Sequence, residues 1–168
     1  FIFYGDEIGL RYIENHVSVE GGYNRTGSRS PMQWDHTVNA GFSTAPAEKL
    51  YIRQDPSKDR PTAADQMADV NSLYHEIKRL IALRQAHSAL QSKGEIEFIY
   101  AEKNAYPLAY IRTSSEEKIM VIINPAAREV SFDSAYTIKE IIYQYGGQAS
   151  NVDGKIVVPA QSVTFAYI

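Results

Sequence analysis

The chain has 168 residues, a net charge of -3 and no cysteine. Apolar residues make up 44% and charged residues 22%, which is close to the average for folded domains and excludes disordered and collagen-like classes. No basic cluster supports binding to nucleic acid, and no apolar run reaches the roughly 18 residues that a membrane helix needs. The lack of cysteine excludes disulfides and thiolate metal sites without deciding the compartment.

The chain begins with the apolar run Phe1–Tyr4. A fully apolar run of this kind is typical of a buried parallel strand, which needs sheet partners on both sides. Asp6 and Glu7 follow where that strand would end, and parallel α/β folds carry their functional residues at this end. Since neighbouring side chains leaving a strand point to opposite faces, at most one of the two acids would face a ligand. We expect the partner strands to belong to a longer protein.

No helix or strand period is sustained between residues 9 and 69. A stretch of this length without a period is unusual in a compact domain and is typical of a functional loop supported by neighbouring structure. Aromatic rings suit the apolar faces of sugars, and forked donors suit their hydroxyl groups. The residues of these types in the loop are Tyr23, Arg25, Arg29, Gln33, Trp34 and Phe42.

Two interpretations of this loop remain open from composition. In the first, Met32 and Trp34 attach a long surface loop to a core. In the second, the arginines and aromatic rings contact a ligand, as loop residues often do. The histidines show no metal-ligand spacing, so we expect neither a metal site nor a cofactor, and we place His75 and His87 on a helix surface.

A helix is predicted to begin near Asn71, because Asp69, Asn71 and Ser72 are good capping residues. Apolar residues then recur at spacings of three and four, which predicts one buried face. These residues are Leu73, Ile77, Leu80, Ile81 and Leu83.

After Gly94 the pattern changes to short runs rich in Ile, Val, Tyr and Phe, separated by turns such as Asp153-Gly154. The pattern predicts an antiparallel β-sandwich or small barrel, with Ile119–Ile123 as its central, doubly buried strand. After an alternating run at residues 96–100, the predicted strands are Leu108–Thr113, Lys118–Asn124, Val130–Phe132, Thr137–Tyr145, Lys155–Val158 and Ser162–Ile168. No reactive group of side chains is evident in this half, so its expected role is structural.

Five blocks, in order along essentially the whole chain, resemble the final third of an α-amylase superfamily enzyme. They are Phe3–Gly9, Arg29–Asp35, Ala40–Ser43, Asn71–Leu73 and Leu80–Arg84. The resemblance is strongest to the α-glucosidase, oligo-glucosidase and trehalose synthase branch, and the Pro-Met-Gln-Trp block is its most specific part.

The resemblance implies a mainly β fold with some α. Residues 1–90 would be the C-terminal remnant of a (β/α)8 barrel, with its last strand, active-site loop and last helix. Residues 91–168 would be a C-terminal antiparallel β-sandwich of the Greek-key type. The implied partners are the N-terminal barrel part of the same protein and an α-linked oligosaccharide substrate.

The family's chemistry is retaining glycoside cleavage, which uses an attacking aspartate, a glutamate acid and a second aspartate. The motifs that carry these three do not occur here, so the resemblance implies no catalytic residue in the chain. Arg29, directly before the Ser-Pro-Met-Gln-Trp block, matches an arginine that contacts the sugar on the leaving-group side. The further substrate-binding candidates are Arg25 and Tyr23. The residues expected in structural roles at the barrel mouth are Glu7, Asp6, Gln33 and Trp34.

Two alternatives stay open. The first is a trehalose synthase-like transferase, which would form the same covalent intermediate as the hydrolase. In the transferase a sugar hydroxyl attacks this intermediate, whereas in the hydrolase water does. A free-standing sandwich could bind carbohydrate without cleaving it, although the aromatics of this half fall mostly at strand-alternating core positions.

Overall fold

The computed structural model describes residues 1–168. The chain divides into two compact units, Phe1–Leu80 and Ile81–Ile168, with the division inside a helix. The sequence places its domain boundary at residue 90, just after that helix, and the assignment of the two parts to a barrel remnant and a sandwich domain stays a prediction.

The first unit is mostly irregular. It contains helix α1 (Ala63–Ala68) and the beginning of helix α2 (Leu73–Ala86), together with four short 3₁₀ turns. The turns span Asp6–Ile8, Thr26–Ser28, Val38–Gly41 and Ala47–Lys49. Neither helix is long and apolar enough to cross a membrane. The prediction of a long irregular stretch is confirmed up to α1, which the sequence pattern missed.

One strand predicted in the first unit is absent, and one helix was not predicted. Phe1–Tyr4 forms no strand, and its four side chains are exposed, because the unit offers only isolated bridges and no strand with which the segment could pair. Helix α1 was missed because six residues are too few to show a helical period. Its N-cap is Thr62, whose hydroxyl accepts a hydrogen bond from the N–H of Asp65 at 3.1 Å.

Helix α2 begins close to its predicted start. The N–H of Asn71 donates to the Asp69 carboxylate at 2.9 Å in the turn before it. The predicted buried face is not observed, since no residue of the helix is buried and Leu73 and Ile81 are 45% and 43% exposed. Of that face, Leu83 packs in part against the core of the second unit.

The second unit contains eight strands in two antiparallel sheets. One sheet has the order β1-β2-β3-β8-β5 and the other has the order β4-β7-β6, so the chain crosses repeatedly between sheets. The strands are β1 (Glu95–Tyr100), β2 (Leu108–Thr113), β3 (Lys118–Asn124), β4 (Val130–Asp133), β5 (Glu140–Tyr145), β6 (Ser150–Val152), β7 (Lys155–Val158) and β8 (Ser162–Tyr167). The predicted antiparallel β-sandwich is confirmed; only the three-residue β6 was not predicted.

Strand β3 lies in the middle of the larger sheet and is buried on both faces, as predicted. Met120 and Ile122 pack against Phe132 and Ile156 of the smaller sheet. Ile119 and Val121 point to the other face and pack with Ala89 and Leu90, which belong to a 3₁₀ turn at Ser88–Leu90. Burial on both faces explains why the run is continuously apolar rather than alternating.

Candidate functional site

A cavity of about 390 Å³ lies in the first unit, around the segment that the sequence singles out. It is lined mainly by aromatic and apolar side chains, with one arginine and one glutamate. The lining includes Tyr4, Glu7, Arg29, Trp34, Phe42 and Tyr51. Of the seven predicted site residues, the structure brings three together here.

Met32 and Gln33 fix the wall of this cavity. Met32 is 9% exposed and packs with Ile8 and Ala63. Gln33 is fully buried, and its side-chain amide donates to the carbonyl oxygen of Pro61 at 2.6 Å. The expectation that Met32 attaches the loop to a core is therefore confirmed.

Trp34 behaves differently from its two neighbours. Its indole is 52% exposed and lines the cavity, so only half of this ring is available to anchor the loop, and its structural role stays a prediction. The attachment comes from its backbone, since its N–H donates to Ala40 at 2.8 Å and its carbonyl accepts from Ala64 at 2.9 Å. Backbone bonds therefore hold the residue while the ring stays available for contact.

The turn after Trp34 is tightly constrained. The Asp35 carboxylate accepts a hydrogen bond from the N–H of Thr37 at 2.8 Å, and a Cβ at Gly41 would lie 2.9 Å from the same carboxylate. Hydrogen bonds from the Thr37 hydroxyl and N–H lower the pKa of Asp35. Buried Ala40 has a positive φ of 54°, a conformation that costs a residue with a Cβ. These constraints position the backbone that holds Trp34.

Arg29 is exposed, and its guanidinium forms no hydrogen bond or salt bridge within the protein. Next to it along the chain, the carbonyl of Ser30 accepts a hydrogen bond from the Tyr4 hydroxyl at 3.0 Å. Partial burial raises the pKa of Tyr4, and the charge of Arg29 opposes part of that rise. The forked donors of Arg29 are therefore free to bind a ligand.

The two acids near the chain start bond to their own turn. Glu7 accepts a hydrogen bond from the N–H of Gly5 at 2.8 Å, and Asp6 accepts one from the N–H of Phe3 at 2.8 Å. Glu7 also lines the cavity, whereas Asp6 does not. The structural role expected for both acids stays a prediction, to which these bonds give a physical basis.

Tyr23 and Arg25 lie apart from the Arg29 cavity. The guanidinium carbon of Arg25 is 5.8 Å from the centre of the Tyr23 ring, a cation–π distance. Tyr23 lines a separate cavity of about 350 Å³. The three predicted substrate-binding residues therefore do not form one cluster.

Tyr4 and Tyr51 were missed as lining residues, because they belong to runs without a pattern that marks a cavity.

His87 is placed differently from its prediction. It follows α2, its side chain is 17% exposed, and Nδ1 lies 2.9 Å from Glu117 Oε2. His75, by contrast, lies on α2 with Nε2 3.0 Å from the carbonyl oxygen of Met67. No group of three or more His, Cys, Asp or Glu side chains could hold a metal ion.

Comparison with known proteins gives matches in sequence and in structure. The family described as "Alpha amylase, catalytic domain" matches residues 1–93. The chain is 27% identical to a probable alpha-glucosidase of Rhizobium meliloti, over 98% of the chain and 31% of that protein. It is 28% identical to an oligo-1,6-glucosidase of Bacillus cereus, over 84% of the chain and 25% of that protein.

Among solved structures, the chain is similar to the trehalulose synthase MutB from Pseudomonas mesoacidophila. The TM-score is 0.71 at 27% identity, and the match covers 85% of this chain and 26% of that one. The chain thus spans between a quarter and a third of the length of these three relatives. Since the family match covers more than half of the chain, the chain belongs to the alpha-amylase family, glycoside hydrolase family 13.

Proposed function

We propose that this chain is the C-terminal portion of a retaining α-glucosidase-type glycoside hydrolase that acts on α-glucosidic bonds of oligosaccharides. Its family and the names of its relatives support this proposal, because they include a probable alpha-glucosidase and an oligo-1,6-glucosidase. The short span of the chain relative to them supports a larger parent.

The observation that carries the proposal is the cavity around Arg29. Its free guanidinium stands with the exposed rings of Trp34, Phe42 and Tyr51. Aromatic rings bind the apolar faces of sugars, and the guanidinium donates hydrogen bonds to their hydroxyl groups. Arg29 would contact the sugar on the leaving-group side of the bond that is cleaved.

The bond-breaking residues would come from the rest of the parent enzyme. A retaining glycosidase needs two carboxyl groups about 5 Å apart on opposite sides of one bond. In this chain Asp6 and Glu7 are adjacent and already accept hydrogen bonds from Phe3 and Gly5. We assign no catalytic role to either acid, and the chain alone would be inactive.

The two parts of the chain would then have different roles. Residues 1–90 would complete the catalytic barrel and line the entrance to its active site. Residues 91–168 would form the family's C-terminal β-sandwich. The partners would be the N-terminal part of the barrel and an α-linked oligosaccharide.

The proposal is tested by comparing the 168-residue chain with the full-length parent on an aryl α-glucoside. The parent should release the aryl group, and the chain alone should not. If the chain alone is active and Asp6→Asn or Glu7→Gln abolishes that activity, the proposal that the catalytic residues lie elsewhere in the parent enzyme would be overturned. These conservative changes keep the size of each side chain while removing its charge.

Intramolecular sugar transfer is a second candidate, favoured by the structural similarity to a trehalulose synthase. Hydrolysis and transfer share the covalent intermediate, so the products distinguish them. Chromatography of parent reactions would show glucose for a hydrolase and an isomerised disaccharide for a transferase.

A further inference from the structure

A third cavity of the first unit, of about 490 Å³, is lined by residues with buried oxygen atoms that no donor reaches. Asp55 is one of these residues, and it is only 3% exposed. Its carboxylate is therefore almost entirely removed from solvent. The polar residues of the lining are Asn39, Glu48, Arg53, Gln54, Asp55 and Arg60.

The Asp55 carboxylate is only half satisfied within the chain. Oδ1 accepts a hydrogen bond from the N–H of Ser57 at 2.8 Å, whereas Oδ2 is buried and has no hydrogen-bond partner. Arg60 lies next to Asp55, but its Nη1 donates to the backbone carbonyl oxygen of Asp55 at 2.9 Å. A buried charged oxygen without a donor is costly, and native structures leave few such atoms.

The side chain of Gln54 repeats this pattern. Its Nε2 donates to the carbonyl oxygen of Asn39 at 2.9 Å, whereas its Oε1 is buried and has no partner. The Asn39 amide cannot supply the donor, because its Nδ2 already donates to the carbonyl oxygens of Ser43 and Ala45. Two adjacent residues of the cavity therefore lack the same chemical group, an N–H or O–H donor.

The position of these two residues in the chain indicates where the donors come from. Gln54 and Asp55 lie in the part that matches the catalytic-domain family, residues 1–93. Two other buried oxygens of the first unit, Ser30 Oγ and Gln33 Oε1, also have no partner. The chain spans only a quarter to a third of the length of its relatives. The missing donors are thus expected in the part of the parent that the chain does not include.

We propose that Gln54 and Asp55 form a docking site for hydrogen-bond donors of the N-terminal part of the parent enzyme. The acceptors are Asp55 Oδ2 and Gln54 Oε1. This inference rests on the proposed function, which supplies the larger parent. The partner segment presents N–H or O–H groups and needs no net charge, because the two acids and the two arginines of the lining balance.

Asp55→Asn tests the docking site in the 168-residue chain and in the parent. Asparagine keeps an oxygen for the N–H of Ser57 and places an amide donor where Oδ2 was. In the chain alone, the midpoint of thermal unfolding should stay unchanged or rise, because a buried charge without a donor is removed. In the parent, the midpoint should fall by at least about 2 °C, because two donors then face each other.

Asp59→Asn is the matched control. The side chain of Asp59 is 80% exposed and pairs with Arg11 at 3.1 Å inside the chain, so its replacement should shift the midpoint equally in both proteins. If Asp55→Asn destabilises the chain alone as much as the parent, the carboxylate is satisfied within the chain and the docking site is overturned. An unchanged midpoint of the parent would overturn it as well.

A crystal structure of the parent gives a second and direct measurement. A donor atom from the N-terminal part should lie within about 3.2 Å of Asp55 Oδ2. Contact of this oxygen with solvent alone, or with Arg53 or Arg60, would overturn the docking site.

The assay of the parent on an aryl α-glucoside keeps this inference separate from the proposed function. An active parent without such a donor at Asp55 would overturn the docking site alone. An inactive parent with the donor in place would overturn the proposed function alone.

Discussion

The Nδ1 atom of His87 lies 2.9 Å from Oε2 of Glu117, which connects the residue after α2 to the turn between β2 and β3. The same carboxylate accepts hydrogen bonds from the Tyr167 hydroxyl at 3.1 Å and from the N–H of Ala89 at 3.0 Å. Both side chains of the His87–Glu117 pair are mostly buried. Glu117 therefore links a loop, a turn and strand β8 of the second unit.

Replacing this carboxylate should destabilise the second unit. Glu117→Gln should lower the free energy of unfolding by about 1–3 kcal/mol, since charged hydrogen bonds are lost and their donors stay partly buried. Urea denaturation measures the change. Glu116→Gln is the control, because that exposed neighbour has only a 3.4 Å contact with Ser88. Equal effects of the two changes would contradict the role of Glu117.

The same network predicts a dependence of stability on pH. Burial alone would raise the pKa of Glu117, but hydrogen bonds from His87, Ala89 and Tyr167 hold it below the ordinary value of 4.5. A lowered folded-state pKa contributes stability above the unfolded pKa, and this contribution is lost as the pH falls through the folded pKa. The free energy of unfolding should be measured from pH 6 downward. Below about pH 4.5 it should fall less steeply in Glu117→Gln than in the wild type. Parallel curves would contradict this prediction.

Replacing Arg29 should lower kcat/KM for the substrate and should have little effect on folding stability. In the full-length parent, Arg29→Ala should lower kcat/KM by an amount equivalent to about 1–3 kcal/mol, the range for losing a charged hydrogen bond. Arg128→Ala is the control, because Arg128 is exposed on the second unit. Steady-state kinetics with maltose and isomaltose measures the effect. Unchanged kinetics with both substrates would show that Arg29 does not contact the substrate.

Met32 and Trp34 should differ in how their loss affects stability. Met32→Ala should cost about 2–5 kcal/mol, because it leaves a cavity beside Ile8 and Ala63. Trp34→Ala should change the free energy of unfolding by less than about 0.5 kcal/mol, since its ring is half exposed. Thermal unfolding of both variants of the chain measures the difference. A larger loss for Trp34→Ala would show that the indole does anchor the loop.

The turn beneath Trp34 should tolerate only glycine at position 41. Gly41 has a φ of 71°, and Gly41→Ala would add a Cβ 2.9 Å from the Asp35 carboxylate. Gly154→Ala is the matched control, because its φ of 78° carries a similar backbone cost and its Cβ would meet no atom within 4 Å. The positive φ should cost each variant about 1–2 kcal/mol in the free energy of unfolding. Gly41→Ala should lose more than Gly154→Ala, because its Cβ also meets the Asp35 carboxylate. Equal losses would mean that Asp35 moves aside freely.

The sequence predicted the second unit well because its signals are local. β2, β3 and β7 have the predicted boundaries, since each is a short apolar run between turn residues. The Asp153-Gly154 turn was also predicted, and both residues have positive φ, as a two-residue hairpin turn requires. β6 was missed because Ser150–Val152 is too short to show alternation.

For the candidate site, the sequence by itself determined the family, through the Arg29–Asp35 block, and with it the identity of Arg29 as a substrate-binding candidate. Only the tertiary structure decided that Trp34 and Tyr51 line the cavity with Arg29, while Tyr23 lines another and Arg25 lies near the Tyr23 ring. It also decided that Phe1–Tyr4 stays exposed. The physical reason is that residue types and short-range periods are local properties, whereas cavities and sheet pairing depend on which distant segments meet.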